Sequence, residues 1–329
     1  MAKVPTLDQA RPLLRIENAT VRQCLAEFLG VFLLILITIG ATAQSVTSFD
    51  RKGGYFPMCL AGALAVTMAI YVSGGVSGGH LNPAYSLSLC LLGRFQWTKL
   101  PLFFLVQTSA AFLAAAGAYA LYYDAIHNYC SGNLTVTGPR ETASIFATYP
   151  ASYLSAWNGF LDQVIGTATL LLSILSLVDS KNKPVPKGLE PVVVGMVVLS
   201  IGLSMGSNCG YPINPARDLG PRLFTWLAGW GPEVFSAGNN WWWIPIVAPL
   251  VGAVIGSTLY ELMIEFHHPE TQSELTDAGK ESHCLEAEKG RPPVEAIKAG
   301  EVPVFTIDTY MEGFMQREGH RKKVISHRL

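Results

Sequence analysis

Two short stretches carry most of the chemistry this sequence can do: Asn82-Pro83-Ala84, and Asn214-Pro215-Ala216-Arg217-Asp218. Asn is a favoured helix N-cap, and Pro is favoured at the first helical position, where its missing N–H would be unpaired anyway. Each triplet therefore predicts a helix start. Capping uses the side-chain oxygen and leaves the amide NH2 of Asn82 and Asn214 as donors, while Arg217 adds a permanent cation three residues on. Such a set of donors suits recognition of a neutral, hydrogen-bonding solute rather than bond making. A competing pattern, Gly202-Leu203-Ser204-Met205-Gly206, has the spacing of a serine-hydrolase elbow. That elbow needs a strand before it and a helix after it, whereas here it lies inside an apolar run with no base or orienting group visible.

The elements that must position these residues are apolar. Six runs, at about 23–44, 56–72, 100–122, 160–178, 191–207 and 242–266, are long enough to cross the ~30 Å of bilayer hydrocarbon, which takes roughly 20 helical residues. Half of the 329 residues are hydrophobic, 14% are charged, and the net charge of −1 gives no reason to expect nucleic acid. The six cysteines show no Cys-x-x-Cys or other metal-ligand spacing and no disulfide framework. No cofactor or metal is expected. The first 22 residues lack the apolar core of a signal peptide, so the first run is expected to stay as a membrane helix.

Lys3, Arg11, Arg15 and Arg22 precede the first run, and Lys181, Lys183 and Lys187 lie between the fourth and fifth. The long segment 123–159 carries Arg140 alone. By the positive-inside rule both termini are cytosolic and that segment faces outward. Asn133-Leu134-Thr135 then falls on the outer side as a glycosylation acceptor, whereas Asn18-Ala19-Thr20 falls on the inner side and should stay bare. Trp241-Trp242-Trp243 starts the last run as an expected interfacial anchor. Beyond residue 268 the pattern turns polar, with Pro292-Pro293 and a basic end at 317–328, and reads as a solvated tail able to touch anionic lipid.

Aligning Glu27-Phe28-Leu29-Gly30 with Gln163-Val164-Ile165-Gly166 exposes two halves, about 23–122 and 160–266, each leading to one Asn-Pro-Ala triplet. Three spans per half, an odd number, invert the second half relative to the first. The segments after the triplets, 85–92 and 219–227, are too short to cross alone and become half-helices that enter from opposite faces and meet N-terminus to N-terminus. Non-helical backbone at that depth must line a cavity or be buried, so 73–81 and 207–213 are expected to present carbonyls to a pathway. Two helix N-termini and Arg217 make its centre positive, which disfavours cations and interrupts a proton relay. The expected fold is an all-α membrane protein of six transmembrane helices plus two re-entrant half-helices. Residues 1–22 form a cytosolic N-terminal segment, 23–267 a channel domain, and 268–329 a cytosolic tail. A secondary transporter of inverted-repeat type would bury acidic residues on several spans, and Glu27 is the clear intramembrane case.

Paired Asn-Pro-Ala triplets in an inverted six-span chain, with Ser77-Gly78-Gly79-His80-Leu81 before the first and Arg217 after the second, resemble the aquaporin family over roughly residues 22–267. Asp218, Gly220-Pro221-Arg222 and Pro249-Leu250 resemble its aquaglyceroporin branch, with Asp218 as the branch marker. The resemblance implies a plasma-membrane homotetramer with one pore per subunit, passing water, glycerol and urea. It also implies a selectivity constriction at Gly62, Gly202, Tyr211 and Arg217. Two glycines in place of bulky side chains would widen that opening for a three-carbon polyol, while Arg217 donates to adjacent hydroxyls and Tyr211 faces the CH backbone. The same glycines could equally serve close helix approach. Gly62 departs from many glycerol facilitators, which put Trp or Phe there, and predicts a less selective mouth.

His80 is the titratable group beside the inner half of the pathway, with Glu27, Tyr85 and Arg94 as expected neighbours. Two roles are open. One is a buried histidine paired with Glu27 that holds the loop. The other is a pH gate, in which protonation draws the ring toward Glu27 and flux rises on acidification.

Overall fold

The computed structural model describes residues 11–12 and 14–269. Expectations for the tail beyond that point, and for Lys3, lie outside the described residues. The helices fall within the compact unit Met1–His268. In chain order they are α1 (Ala19–Thr47), α2 (Tyr55–Ser77), α3 (Pro83–Leu91), α4 (Leu100–Cys130), α5 (Ala156–Val178), α6 (Glu190–Met205), α7 (Pro215–Thr225), α8 (Glu233–Asn240) and α9 (Ile244–Met263). No strand occurs among the described residues.

Asn18 starts α1 by accepting from the Val21 N–H at 3.1 Å, which gives the first glycosylation-like triplet a capping role. Val31, Leu34, Ile35 and Ile39 recur at helical spacing on one buried face of α1 and pack on buried Ala110, Ala111, Ala114, Ala115 and Ala118 of α4. Small residues do the same in the second half. A Cβ at Gly252 or Gly256 of α9 would stand 2.4 Å from the Val164 carbonyl oxygen or 2.5 Å from that of Ala168, so only glycine lets α9 lie this close to α5. α2 packs on α6, and each half-helix packs against the third span of the other half, α3 on α9 and α7 on α4. That exchange brings both Asn-Pro-Ala triplets to one place.

Three boundaries differ from the sequence expectation. α4 runs to Cys130, eight residues past the expected end at 122, with a kink at Tyr122. Its extension is amphipathic, burying Ile126 and Cys130, so no uniform apolar run marks it. α2 continues through Gly74 and Gly75 to Ser77, and the chain leaves the helix only where Gly78 adopts φ 90°, so the non-helical stretch is 78–81 rather than 73–81. α6 has 16 residues, about 24 Å at 1.5 Å per residue. The other five candidate spans are long and apolar enough to cross a membrane. α6 stops short because the chain turns inward at Gly206 to reach the second triplet.

Trp241 is also not an interfacial anchor. It is 1% exposed and fills the space over Gly159, where a Cβ would stand 2.4 Å from its ring. Trp242 and Trp243 face outward.

Candidate solute pathway

Asn82 and Asn214 occupy the same local geometry. Each has φ −152°, each is followed by Pro at the first helical position, and each caps through its side-chain oxygen, Asn82 to the Ala84 N–H and Asn214 to the N–H groups of Ala216 and Arg217. The residue before each holds a left-handed backbone, Leu81 at φ 57° and Ile213 at φ 36°. For bulky side chains this is strained by ~1–3 kcal/mol and must be held by surrounding structure.

Asn82 Nδ2 donates to the Ile213 carbonyl and Asn214 Nδ2 to the Leu81 carbonyl, both at 2.9 Å. The Leu81 N–H donates to Glu27 Oε2 at 2.7 Å, and the Ile213 N–H to Gln163 Oε1 at 3.1 Å. Glu27 and Gln163, paired by the sequence alignment, thus do the same job in the two halves. The reciprocal bonds engage one N–H of each amide, so each Asn brings one free N–H to the cavity, not the whole NH2 group.

These two residues sit midway along a cavity of about 430 Å³ that they line together with Arg217, Tyr211 and Gly62 on one side and His80, Tyr85 and Glu190 on the other. The end where α1 begins is called inner here, the opposite end outer. In the outer half, Arg217 Nη1 donates to the Phe146 carbonyl at 2.9 Å. A Cβ on Gly62 would stand 3.5 Å from the Tyr211 hydroxyl, ordinary van der Waals contact, so a small side chain fits there without displacing the ring. Gly202 behaves differently. A Cβ there would stand 2.7 Å from Tyr211 Cζ, so the Tyr211 ring occupies the space the missing side chain leaves. The Tyr55 hydroxyl closes on the Gly202 carbonyl at 2.7 Å. Gly202 seats Tyr211 and is not among the cavity-lining residues.

Ser204 is exposed on helix α6 and donates to the Ser200 carbonyl at 2.6 Å. The hydrolase pattern has neither strand nor elbow around it.

In the inner half, Glu27 is fully buried and accepts four hydrogen bonds. Ser77 Oγ and the His80 N–H reach Oε1 at 2.6 and 2.8 Å, while the Leu81 N–H and Gln107 Nε2 reach Oε2 at 2.7 and 2.8 Å. The His80 ring turns elsewhere. Its Nδ1 is 2.9 Å from Ser86 Oγ, and the ring is packed by Tyr85, Phe95 and Phe103. Ser86 Oγ also reaches the Asn82 carbonyl at 3.1 Å; with its hydrogen there, the Nδ1–H tautomer of His80 donates to Ser86 and Nε2 is the acceptor nitrogen. Arg94 is not a neighbour of His80; it pairs with Glu261 and Glu265 at the inner rim, at 3.4 and 2.5 Å.

Sequence reasoning missed Gln107, Ser86 and the Phe95–Phe103 cage. A lone Gln in an apolar run is a usable signal, since intramembrane polar residues pair. Nothing local marks the two phenylalanines.

Residues 15–260 match the family model for major intrinsic proteins. The chain is 63% identical to Aquaporin-10 of Homo sapiens over 270 residues, 82% of this chain and 90% of that one. It is 51% identical to Aquaporin-9 of Homo sapiens over 258 residues, 78% of this chain and 88% of that one. The solved structure of the aquaglyceroporin from Plasmodium falciparum matches with a TM-score of 0.68 and 34% identity, over 74% of this chain and 97% of that one. Swapped half-helices, twin asparagine caps and these three likenesses agree: the chain is a membrane channel rather than an enzyme and belongs to the major intrinsic protein, or aquaporin, family.

Proposed function

We propose that this protein is a passive channel for water, glycerol and other small neutral solutes such as urea, and that it excludes protons and ions. The observation that carries the reading is the pair of amides at Asn82 and Asn214, each fixed by a 2.9 Å bond to the opposite half with one N–H left for the cavity. A solute oxygen crossing that point meets two donors and no acceptor from these side chains, which breaks a donor–acceptor relay, and the two helix N-termini repel cations. Arg217, Tyr211 and the absent side chain at Gly62, all lining the cavity, support a constriction wide enough for a polyol. The likeness to the solved aquaglyceroporin structure favours glycerol over a water-only pore. Vesicles holding the protein and a trapped pH dye should admit glycerol without a dye response. Glycerol entry accompanied by proton leak would defeat the exclusion mechanism.

Assembly as a homotetramer in the plasma membrane, with cytosolic termini, follows from the family resemblance and the lysine and arginine pattern. Asn133 is exposed just past α4, which suits a glycan on the outer side; loss of a glycosidase-sensitive band shift in Asn133→Gln checks it.

His80 is the proposed pH-responsive group. With Glu27 already accepting four bonds, protonation does not pull the ring onto that carboxylate. It adds a donor at Nε2 while the Nδ1 contact with Ser86 persists. Glycerol flux should rise as the pH falls from 7.5 to 5.5. His80→Ala should lose that response, and a variant that tracks pH as the wild type does removes the gate.

A further inference from the structure

The outer constriction has a support behind its lining residues, a buried ion pair between Asp218 and Arg222. Asp218 follows Arg217 in α7, is fully buried and is absent from the cavity wall. Its Oδ2 accepts from the Thr148 N–H at 2.8 Å and from the Thr148 hydroxyl at 2.5 Å. Its Oδ1 accepts from Arg222 Nε at 2.9 Å and from Arg222 Nη2 at 2.8 Å. Arg222, equally buried, donates onward to the carbonyls of Thr148 and Val234 at 2.5 and 2.7 Å, and its guanidinium lies 4.7 Å from the centre of the Tyr149 ring. Further hydrogen bonds thus surround the ion pair, the condition under which a buried pair is tolerated.

What the pair grips is Thr148, a cavity-lining residue whose hydroxyl is taken by Asp218. Thr148 is held by its N–H, hydroxyl and carbonyl at once, and two residues earlier the Phe146 carbonyl receives Arg217 Nη1 at 2.9 Å. A long, flexible arginine side chain aims its planar fork only if an acceptor is fixed in front of it. Here that acceptor belongs to a segment clamped by the residue next to the arginine itself.

We propose that Asp218, acting through Thr148 and Arg222, is the positioning residue for Arg217, and so sets the donor geometry and width of the constriction. This gives a physical role to a residue that sequence comparison marks only as a branch label. The inference rests on the reading of the site as a solute constriction. A merely structural ion pair would alter stability without altering which solutes pass.

The test leaves the ion pair intact. Thr148→Val removes one hydroxyl donor to Asp218 and keeps the side-chain shape; Thr148→Ser keeps the hydroxyl. In reconstituted vesicles the readout is the ratio of glycerol to erythritol permeability, which is independent of the amount of active protein. Thr148→Val should lower that ratio by about threefold or more, the scale of one lost hydrogen bond, and Thr148→Ser should restore it. Should the valine variant fail to insert, Thr148→Cys, which keeps the lining bulk and offers only a weak donor, gives the same comparison. A folded valine or cysteine variant with the wild-type ratio, whatever its melting temperature, overturns the proposal. A wild-type protein that passes no glycerol at all would instead sink the functional reading on which it stands.

Discussion

A single carbonyl decides how many donors each asparagine can offer. Because Ile213 and Leu81 turn their carbonyls toward the opposite amide, Asn82 and Asn214 are locked in rotation, and the pathway sees two fixed N–H groups rather than two freely turning ones. The capping role was legible in the sequence, since Asn followed by Pro is a local rule. The cross-bonds were not, since they join residues 131 and 133 positions apart. The two glycines of the expected constriction illustrate the same limit: sequence makes them equivalent, but Tyr211 fills the space at Gly202 and stands only at van der Waals distance from a Cβ at Gly62. Gly62→Phe should therefore lower glycerol permeability about tenfold or more while sparing water much better, because a ring there meets the Tyr211 hydroxyl and removes the room a polyol needs. Equal losses for both solutes in stopped-flow assays would assign the narrowing to another residue.

At the scale of elements, the half-helices depend on two polar side chains from the first span of each half. Glu27 accepts four donors and Gln163 holds one strained N–H through its oxygen. Each buried donor left without an acceptor costs ~1–3 kcal/mol. Glu27→Ala should thus destabilise detergent-solubilised protein by ~3 kcal/mol or more, and Gln163→Ala by ~1 kcal/mol, read as melting temperatures. The reverse order would contradict the assignment of these residues as loop anchors. Their correspondence was legible because both stand as polar residues one turn before a glycine in an apolar run. The outer end of α4 was not, because its helix there is half-buried and half-wet, and hydropathy averages that pattern away.

On the scale of the whole molecule, the inner ends of the second half are tied by Asp179, at the end of α5. Its Oδ2 accepts from the Tyr260 hydroxyl at 2.8 Å and from His268 Nε2 at 2.5 Å, joining α5 to the end of α9. Burial raises the Asp179 carboxyl, but hydrogen bonds from His268, Tyr260 and the Lys181 N–H outweigh it and hold the group below its usual range. A depressed carboxylate contributes stability above its unfolded value of about 3.9, and that contribution fades as pH falls through the lower folded value. Asp179→Asn should lower the melting temperature at pH 7, with the gap closing only below about pH 4. A gap already closing between pH 7 and 5 would point to a different titrating group. Since Asp179 stays ionised in that window, it does not supply the flux response assigned to His80.

The inverted architecture itself was legible from odd span count and repeated triplets, while the exchange of half-helices between halves needed packing to see. The central claim is that this architecture frames a pore for a three-carbon solute, and light scattering of vesicles reconstituted with the wild-type protein under an inward glycerol gradient tests it most directly. The account predicts fast shrinkage followed by reswelling well above the rate of protein-free vesicles, as glycerol enters. Fast shrinkage with reswelling no faster than in protein-free vesicles would show a water-only pore and contradict it.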